Sequence, residues 1–153
     1  MTAVQFAQKA VVTDDSGRIL LVRKSDDDPN QPGRWELPGG RLIPSEDPVD
    51  HMIREVREET GLFVSPGPLI DLWSWQMSWR GEHVQVIAVS RYCKINRAMR
   101  PVKPSPEADD YLAEQRWFDL SDVPMQDLIP SQVPTIEMVK EASSSEMAVK
   151  ASA

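Results

Sequence analysis

Six acids (Glu46, Asp47, Asp50, Glu55, Glu58 and Glu59) against two bases (Arg54 and Arg57) place four of the chain's seven net negative charges in one short stretch. At about 100° per residue, a helix would bring Glu55, Glu58 and Glu59 onto one arc of roughly 100°. Left alone, such carboxylates repel by about 0.2–0.5 kcal/mol per i, i+3 or i, i+4 pair. A divalent cation reverses that sign. A hard, all-oxygen site of this kind favours magnesium, with manganese as the substitute, bridging carboxylates to the phosphates of a substrate. Just upstream, Trp35-Glu36-Leu37-Pro38-Gly39-Gly40 offers paired glycines, which let backbone groups approach a ligand or metal closely. An isolated glutamate pair on a helix is ordinarily a solvated acidic face, and the glycine run beside this one shifts the weight toward metal and phosphate chemistry.

The helix that must carry these acids is marked at both ends. Asp47 suits an N-cap, Pro48 the first helical position, and Gly61, after Thr60, an αL stop. Val49, Met52, Ile53, Val56 and Thr60 recur with helical spacing and predict one buried stripe, with the acids on the opposite side. Ahead of it, residues 4–13 and Arg18–Lys24 read as a hairpin turned by Asp14-Asp15-Ser16-Gly17, and Ser25–Gly33 as an exposed loop bordering the site. Beyond it, Leu69–Trp79 and His83–Lys94 read as a second hairpin around Arg80-Gly81-Glu82. Residues 97–110, with Pro101, Pro104 and Pro106, form a long irregular loop; Gln115–Leu120 is a short strand and Val133–Ala142 the last helix. The expected organisation is one domain over residues 1–142 and a small, polar, flexible tail over 143–153.

Composition bounds the rest. The 153 residues amount to about one domain, and 41% apolar with 27% charged residues supplies a core and excludes wholesale disorder. Cys93, the one cysteine, cannot pair within the chain, which fits a reducing, cytoplasmic setting. The start, MTAVQFAQKAVV, has no basic n-region ahead of a long apolar run, and no stretch of about 18 apolar residues occurs, so neither export nor membrane spanning is expected. Seventeen Lys and Arg against 24 Asp and Glu oppose attraction to a polynucleotide backbone while leaving a small phosphorylated ligand open.

Gly40, five residues, Glu46, seven residues, then Arg54-Glu55-Val56-Arg57-Glu58-Glu59-Thr60-Gly61-Leu62 resembles the Nudix box, with every fixed position filled. With ordinary residue usage, the chance of such a match at one start point is on the order of 10⁻⁹. The resemblance implies an α/β/α sandwich with a mixed sheet, cleaving a pyrophosphate bond in a nucleoside diphosphate linked to another group. It also implies that Glu58 and Glu59 are metal ligands, Glu55 a ligand or the general base, and the Gly39 carbonyl a further ligand. Arg54 and Glu46 resemble the family's ion pair that orients the catalytic glutamates. Family members differ in which carboxylate is the base, so Glu107, Asp109, Asp110 and Glu114 stand as candidates from outside the box. Two rivals carry less weight. A Nudix-fold isomerase usually needs a nucleophilic cysteine, and Cys93 falls on a strand away from the box; a nucleotide-sensing module typically loses box glutamates, all of which are present.

Outside the box, Arg23 and Arg41 are the candidates for gripping substrate phosphates, while Lys24 reads as surface charge. His51, one turn before Glu55, reads as an exposed helix histidine, with a contact to Glu55 or substrate as the alternative; His83 carries no role. Trp73, Trp75, Met77 and Trp79 alternate onto one strand face. Core packing is the first reading there, with Trp73 and Trp75 the stacking candidates and at most one tryptophan, Trp117 included, at a nucleobase. The expected substrate is a nucleoside triphosphate, damaged ones included, followed by ADP-ribose or a nucleotide sugar. A homodimer is compatible with these readings.

Overall fold

β-Branched and aliphatic residues dominate the start of the chain and form β1 (Ala3–Thr13) and β2 (Ile19–Lys24). Asp14 turns the chain between them, its Oδ1 accepting from the N–H groups of Ser16 and Arg18 at 2.9 Å each. A computed structural model describes residues 2–152, the side chains of Asp109 and 147–152 excepted. β3 (Trp35–Glu36), β4 (Gly39–Arg41) and α1 (Pro48–Thr60) follow, then β5 (Val64–Trp79), β6 (Glu82–Ile95), β7 (Leu112–Phe118) and α2 (Val133–Ser152). The seven-stranded sheet runs β3-β2-β1-β6-β5, with β4 also on β1 and β7 also on β2. β1 and β6 are parallel and the other pairs antiparallel, so the sheet is mixed.

Alternate residues of β1 and β2 feed two cores. Ala10, Val12 and Leu20 pack with Met52 and Val56 of α1, and with Val64 and Cys93. Val11, Ile19 and Leu21 pack with Trp35, Leu37, Leu128, and Ile136 and Val139 of α2. Helices therefore cover opposite faces of the sheet, the expected α/β/α arrangement, and each fully buried aliphatic side chain contributes about 1.5–3 kcal/mol.

α1 begins and ends where its caps require. Asp47 Oδ1 accepts from Val49 N at 2.8 Å and Asp50 N at 3.2 Å, and Gly61, at φ 78°, takes the left-handed stop. The buried face differs from the expected stripe. Val49 is 42% exposed, whereas His51, Glu55 and Glu59 are buried with Met52, Val56 and Thr60. The helix is enclosed on two sides, apolar residues against the sheet and acids against the glycine segment.

Three further boundaries differ from expectation. The second hairpin is longer than read, and its two-residue turn, Arg80 (φ 51°) and Gly81 (φ 77°), joins the paired Trp79 and Glu82. The glycine segment contains β3 and β4, too short to show a period. α2 does not stop at Ala142 but is helical to Ser152; Ala153 lies outside the described residues. The loop over 97–110 is pinned to the end of α1, since Val102 N donates to Gly61 O and Ser105 N to Glu58 O, both at 2.8 Å. Within Ser25–Gly33, Asp28 is buried rather than exposed, accepting from the N–H groups of Asn30 and Gln31.

Candidate active site

The close crossing of β4 over β1 sets the floor of the site. Gly39 has φ 144°, and a Cβ there would lie 2.0 Å from Gln8 O, so only glycine fits. Its N–H donates to Glu59 Oε1 at 2.7 Å. At Gly40 a Cβ would stand 2.9 Å from the Glu55 carboxyl group. The two glycines thus make a cradle in which two glutamates of α1 lie. Arg54 organises the remainder: Nε and Nη2 donate to Glu46 at 2.6 and 2.9 Å, and Nη1 donates to Glu55 and Glu58 at 3.2 Å each.

Behind this arc stands a group that the sequence reading did not include. Lys9, 8% exposed in the middle of β1, directs Nζ to Gly39 O at 3.2 Å and to Glu36 Oε2 at 3.5 Å. Glu36, also buried, reaches Lys24 Nζ at 3.5 Å with its other oxygen. Lys24 in turn donates to Asp110 O at 2.7 Å and lies 3.8 Å from Asp28. A lysine inside the apolar run Phe6–Thr13 is the signal that could have found this group, because a buried ammonium requires partners.

Burial shapes the electrostatics. It pushes the Glu55 carboxyl up to about 7, against the pull of Arg54, with the charges of Asp110 and Glu58 adding to the rise. Glu59 is raised well above the usual carboxylate range, again by burial first, with Lys9 opposing. Burial pulls Lys9 down, but the carboxylates of Glu36, Glu59 and Glu55 outweigh it and hold the ammonium above its ordinary value. The hydrogen bonds of Arg54 hold Glu46 below the carboxylate range.

These groups open onto a cleft of about 760 Å³, in the range of small-molecule sites. Glu55, Glu58 and Glu59 line it beside Gly39 and Gly40; Lys24, Glu107 and Asp110 also line it, as do Arg41, Trp75 and Trp79. Arg41 sits with Cζ 4.4 Å from the centre of the Trp79 ring and donates to Gln5 Oε1 at 3.0 Å.

Several expected placements need correction. Arg23 is not among the residues lining the cleft; its Nε donates to Glu114 Oε1 at 2.8 Å, so Glu114 is also turned elsewhere. Lys24, read as surface charge, lines the cleft instead. His51 is fully buried rather than exposed: Gln8 Nε2 donates to its Nδ1 at 2.9 Å and to Pro48 O at 2.7 Å, and burial lowers its pKa. Trp75 and Trp79 line the cleft while half-buried against Ala7, Val84, Val86 and Ala88; Trp73 packs on the same cluster without lining the cleft, and Trp117 packs on the α1 side. His83 pairs with Gln76 on the exposed hairpin. The Asp109 side chain lies outside the described residues.

The oxygens of Glu55, Glu58, Glu59 and the Gly39 carbonyl fit magnesium in kind, being hard donors around a cradle that a single Cβ would fill. Among the described residues no three acids, histidines or cysteines converge closely enough to hold an ion as they stand. One oxygen of each expected ligand accepts from a donor of the protein itself: Arg54 on Glu55 and Glu58, the Gly39 N–H on Glu59, and Lys9 on the Gly39 carbonyl.

Comparison with known proteins agrees with this architecture. The profile of the NUDIX domain matches residues 5–139. A human 8-oxo-dGDP phosphatase is 29% identical over 79% of the chain and 34% of its own length. A CTP pyrophosphohydrolase of Escherichia coli is 31% identical over 49% of the chain and 55% of its own length. The chain spans 34–38% of the length of the first such relatives, a MutT-like protein of Streptomyces ambofaciens among them. In three dimensions, a MutT protein from Methanosarcina mazei superposes with a TM-score of 0.66 at 25% identity, over 93% of this chain and 96% of that one. No helix among the described residues is long and apolar enough to cross a membrane.

Proposed function

The chain belongs to the Nudix family, and from that premise we propose that it is a divalent-metal-dependent hydrolase cleaving a pyrophosphate bond in a nucleoside diphosphate linked to another group. The substrate we assign is a nucleoside triphosphate, damaged bases included. The observation that carries this reading is a cleft lined both by the acidic arc of α1 with its glycine floor and by Trp75, Trp79 and Arg41. Phosphates belong at the acidic end, through metal, and a base at the aromatic end. The names of the relatives, an 8-oxo-dGDP phosphatase and a CTP pyrophosphohydrolase, support the nucleotide class.

In this reading Glu55, Glu58, Glu59 and the Gly39 carbonyl hold magnesium, which when bound neutralises phosphate oxygens and acidifies an attacking water. The protein's own groups do the rest. Glu55, buried against the glycine floor within the acidic arc, would take the proton of the attacking water. Arg54 fixes the carboxylates of Glu55 and Glu58 in position. Lys24 and Arg41, which both line the cleft, grip the phosphates. For location we infer the cytoplasm, because the single thiol, Cys93, is buried and suits a reducing compartment.

The test is phosphate and pyrophosphate release with and without magnesium over a panel of nucleoside triphosphates, an 8-oxo nucleotide, ADP-ribose and a nucleotide sugar. Glu58→Gln should lower kcat by roughly 10²-fold or more with the melting temperature little changed. Near wild-type turnover by Glu58→Gln at saturating magnesium would overturn the site. A preference for ADP-ribose would overturn the substrate and leave the chemistry.

A further inference from the structure

We propose that Lys9 is a built-in counter-ion of the catalytic carboxylates, so that the free enzyme holds a divalent cation weakly and takes it up together with the phosphates of its substrate. The inference rests on the reading of the site as a metal-dependent phosphohydrolase.

Lys9 has the location such a role requires. Residues 10–12 beside it in β1 are fully buried, and a methionine or leucine would fill that place without the cost of desolvating a charge. The ammonium points to the Gly39 carbonyl, whose peptide register with Lys9 is fixed by the β1–β4 ladder. On the other side of the same residue, the Gly39 N–H holds Glu59. Lys9 is therefore one residue's width from an expected ligand and shares a carbonyl with the expected ion. Two cations drawn to the same oxygens repel, and strongly where water is excluded. A polyphosphate entering the cleft adds negative charge on the open side and offsets that repulsion. Glu36 tunes the balance, since it neutralises part of Lys9 while also pairing with Lys24. Lys9 and Glu36 line the floor of the cleft, almost wholly enclosed, and the ammonium's contacts are with Gly39 and Glu36, so Lys9 is a positioning residue that acts through the Gly39 carbonyl and the carboxylates.

Manganese binding, followed by the loss of the free-ion electron paramagnetic resonance signal near neutral pH, tests this without reference to turnover. Wild type, Lys9→Met and Glu36→Gln are titrated with and without a methylene-bridged nucleotide that cannot be cleaved. Without nucleotide, Lys9→Met should bind manganese about tenfold tighter than wild type and Glu36→Gln about threefold weaker. With the nucleotide, the gain of Lys9→Met should shrink to about threefold or less. Opposite signs in two variants of one ion pair cannot arise from a shared loss of structure, and thermal melts confirm that each is folded. Lys9→Met binding no tighter than wild type, while wild type binds with nucleotide, overturns the role of Lys9 and leaves the function intact. If Lys9→Met does not fold, Glu36→Gln matching wild type overturns it. No manganese binding by wild type in either condition overturns the metal centre itself.

Discussion

Arg54 grips both carboxylate oxygens of Glu46, at 2.6 and 2.9 Å, with one side of its guanidinium, while the remaining nitrogen spans Glu55 and Glu58. A planar fork used this way fixes the rotamer of the arginine, and through it the carboxylates of the site. Glu46→Gln removes the charge of the fork and should cost about 1–2 kcal/mol, a melting temperature lower by ~2–8 °C, and reduce kcat by ~10–100-fold. The pH dependence has a definite sign. Glu46 is held below its ordinary value in the fold, so its contribution is complete above that value and fades as pH falls through the lowered one. The melting gap between wild type and Glu46→Gln should therefore be full near neutral pH and shrink as the solution is taken into acid below the ordinary glutamate value of 4.5. A gap that stays constant into strong acid would contradict the pairing.

Gly39 and Gly40 should separate fold from chemistry. Alanine at 39 would meet backbone at 2.0 Å in a left-handed region, so Gly39→Ala should fail to give soluble, folded protein. The nearest atoms to an alanine Cβ at 40 are the end of the Glu55 side chain, at 2.9 Å, which can swing away. Gly40→Ala should melt within a few degrees of wild type and lose activity by ~10-fold or more, because Glu55, the base we propose, is displaced. Circular dichroism melts beside turnover decide it. Equal loss of stability in both variants would remove the cradle from the argument.

What the sequence made legible was local. The limits of α1 were readable because caps act within one turn of Asp47 and Gly61, and the acidic arc because helical spacing is fixed. Lys9 and Lys24 were not, because their partners, Gly39, Glu36 and Asp110, arrive through strand register and a distant loop. His51 was misjudged for a related reason. A single-stripe reading assumes one buried helix face, and α1 has two. The extension of α2 past Ala142 runs through Ser143-Ser144-Ser145, which offers no apolar period to read.

The aromatic strand face should divide by position. Trp75→Leu and Trp79→Leu remove groups that line the cleft, and a lost stacking contact of ~1–3 kcal/mol would change the ratio of kcat/KM between nucleotides by ~5–150-fold. Trp79→Leu also removes the ring on which Arg41 rests. Trp73→Leu should lower the melting temperature and leave the ratio unchanged, since Trp73 packs on the Ala7 cluster and does not line the cleft. If none of the three moves the ratio across the panel, base recognition lies elsewhere.

Cys93 should report on unfolding rather than on redox chemistry. It is fully buried, and burial pushes its thiol up to about 12. Ellman's reagent near pH 8 should leave the native protein unlabelled and titrate one thiol in denaturant. Because the native state keeps the proton that the unfolded chain releases at lower pH, the contribution of Cys93 is intact below an ordinary thiol pKa. It declines as pH rises from there toward 12. A Cys93→Ser variant should lack that alkaline slope. Rapid labelling of native protein would refute the burial.

Arg23 and Lys24 are neighbours on one strand with disjoint partners, and exchanging their expected roles is the sharpest correction the fold makes. Successive residues of a strand point to opposite faces, and a register shift against β7 also falls between these two. Arg23 goes to Glu114 and to Asp26, the latter at 3.9 Å with an almost wholly exposed carboxylate, so water screens its pairs and they contribute little to stability. Lys24 is mostly enclosed by Glu36, Asp28 and the Asp110 carbonyl, at the lip of the cleft. Removing it leaves two buried acids with one cation fewer and takes a positive charge from the path of the phosphates. Lys24→Met should therefore raise KM and lower kcat/KM by ~10–100-fold, with a loss of melting temperature from the orphaned acids. Arg23→Met should stay within about twofold of wild-type kcat/KM and melt within ~1–3 °C of it. Kinetics of the two variants side by side, on one nucleotide at several magnesium concentrations, make the comparison. If Arg23→Met loses affinity for substrate and Lys24→Met does not, the phosphates approach from the Glu114 side, and the cleft lined by Asp110 is not where they bind.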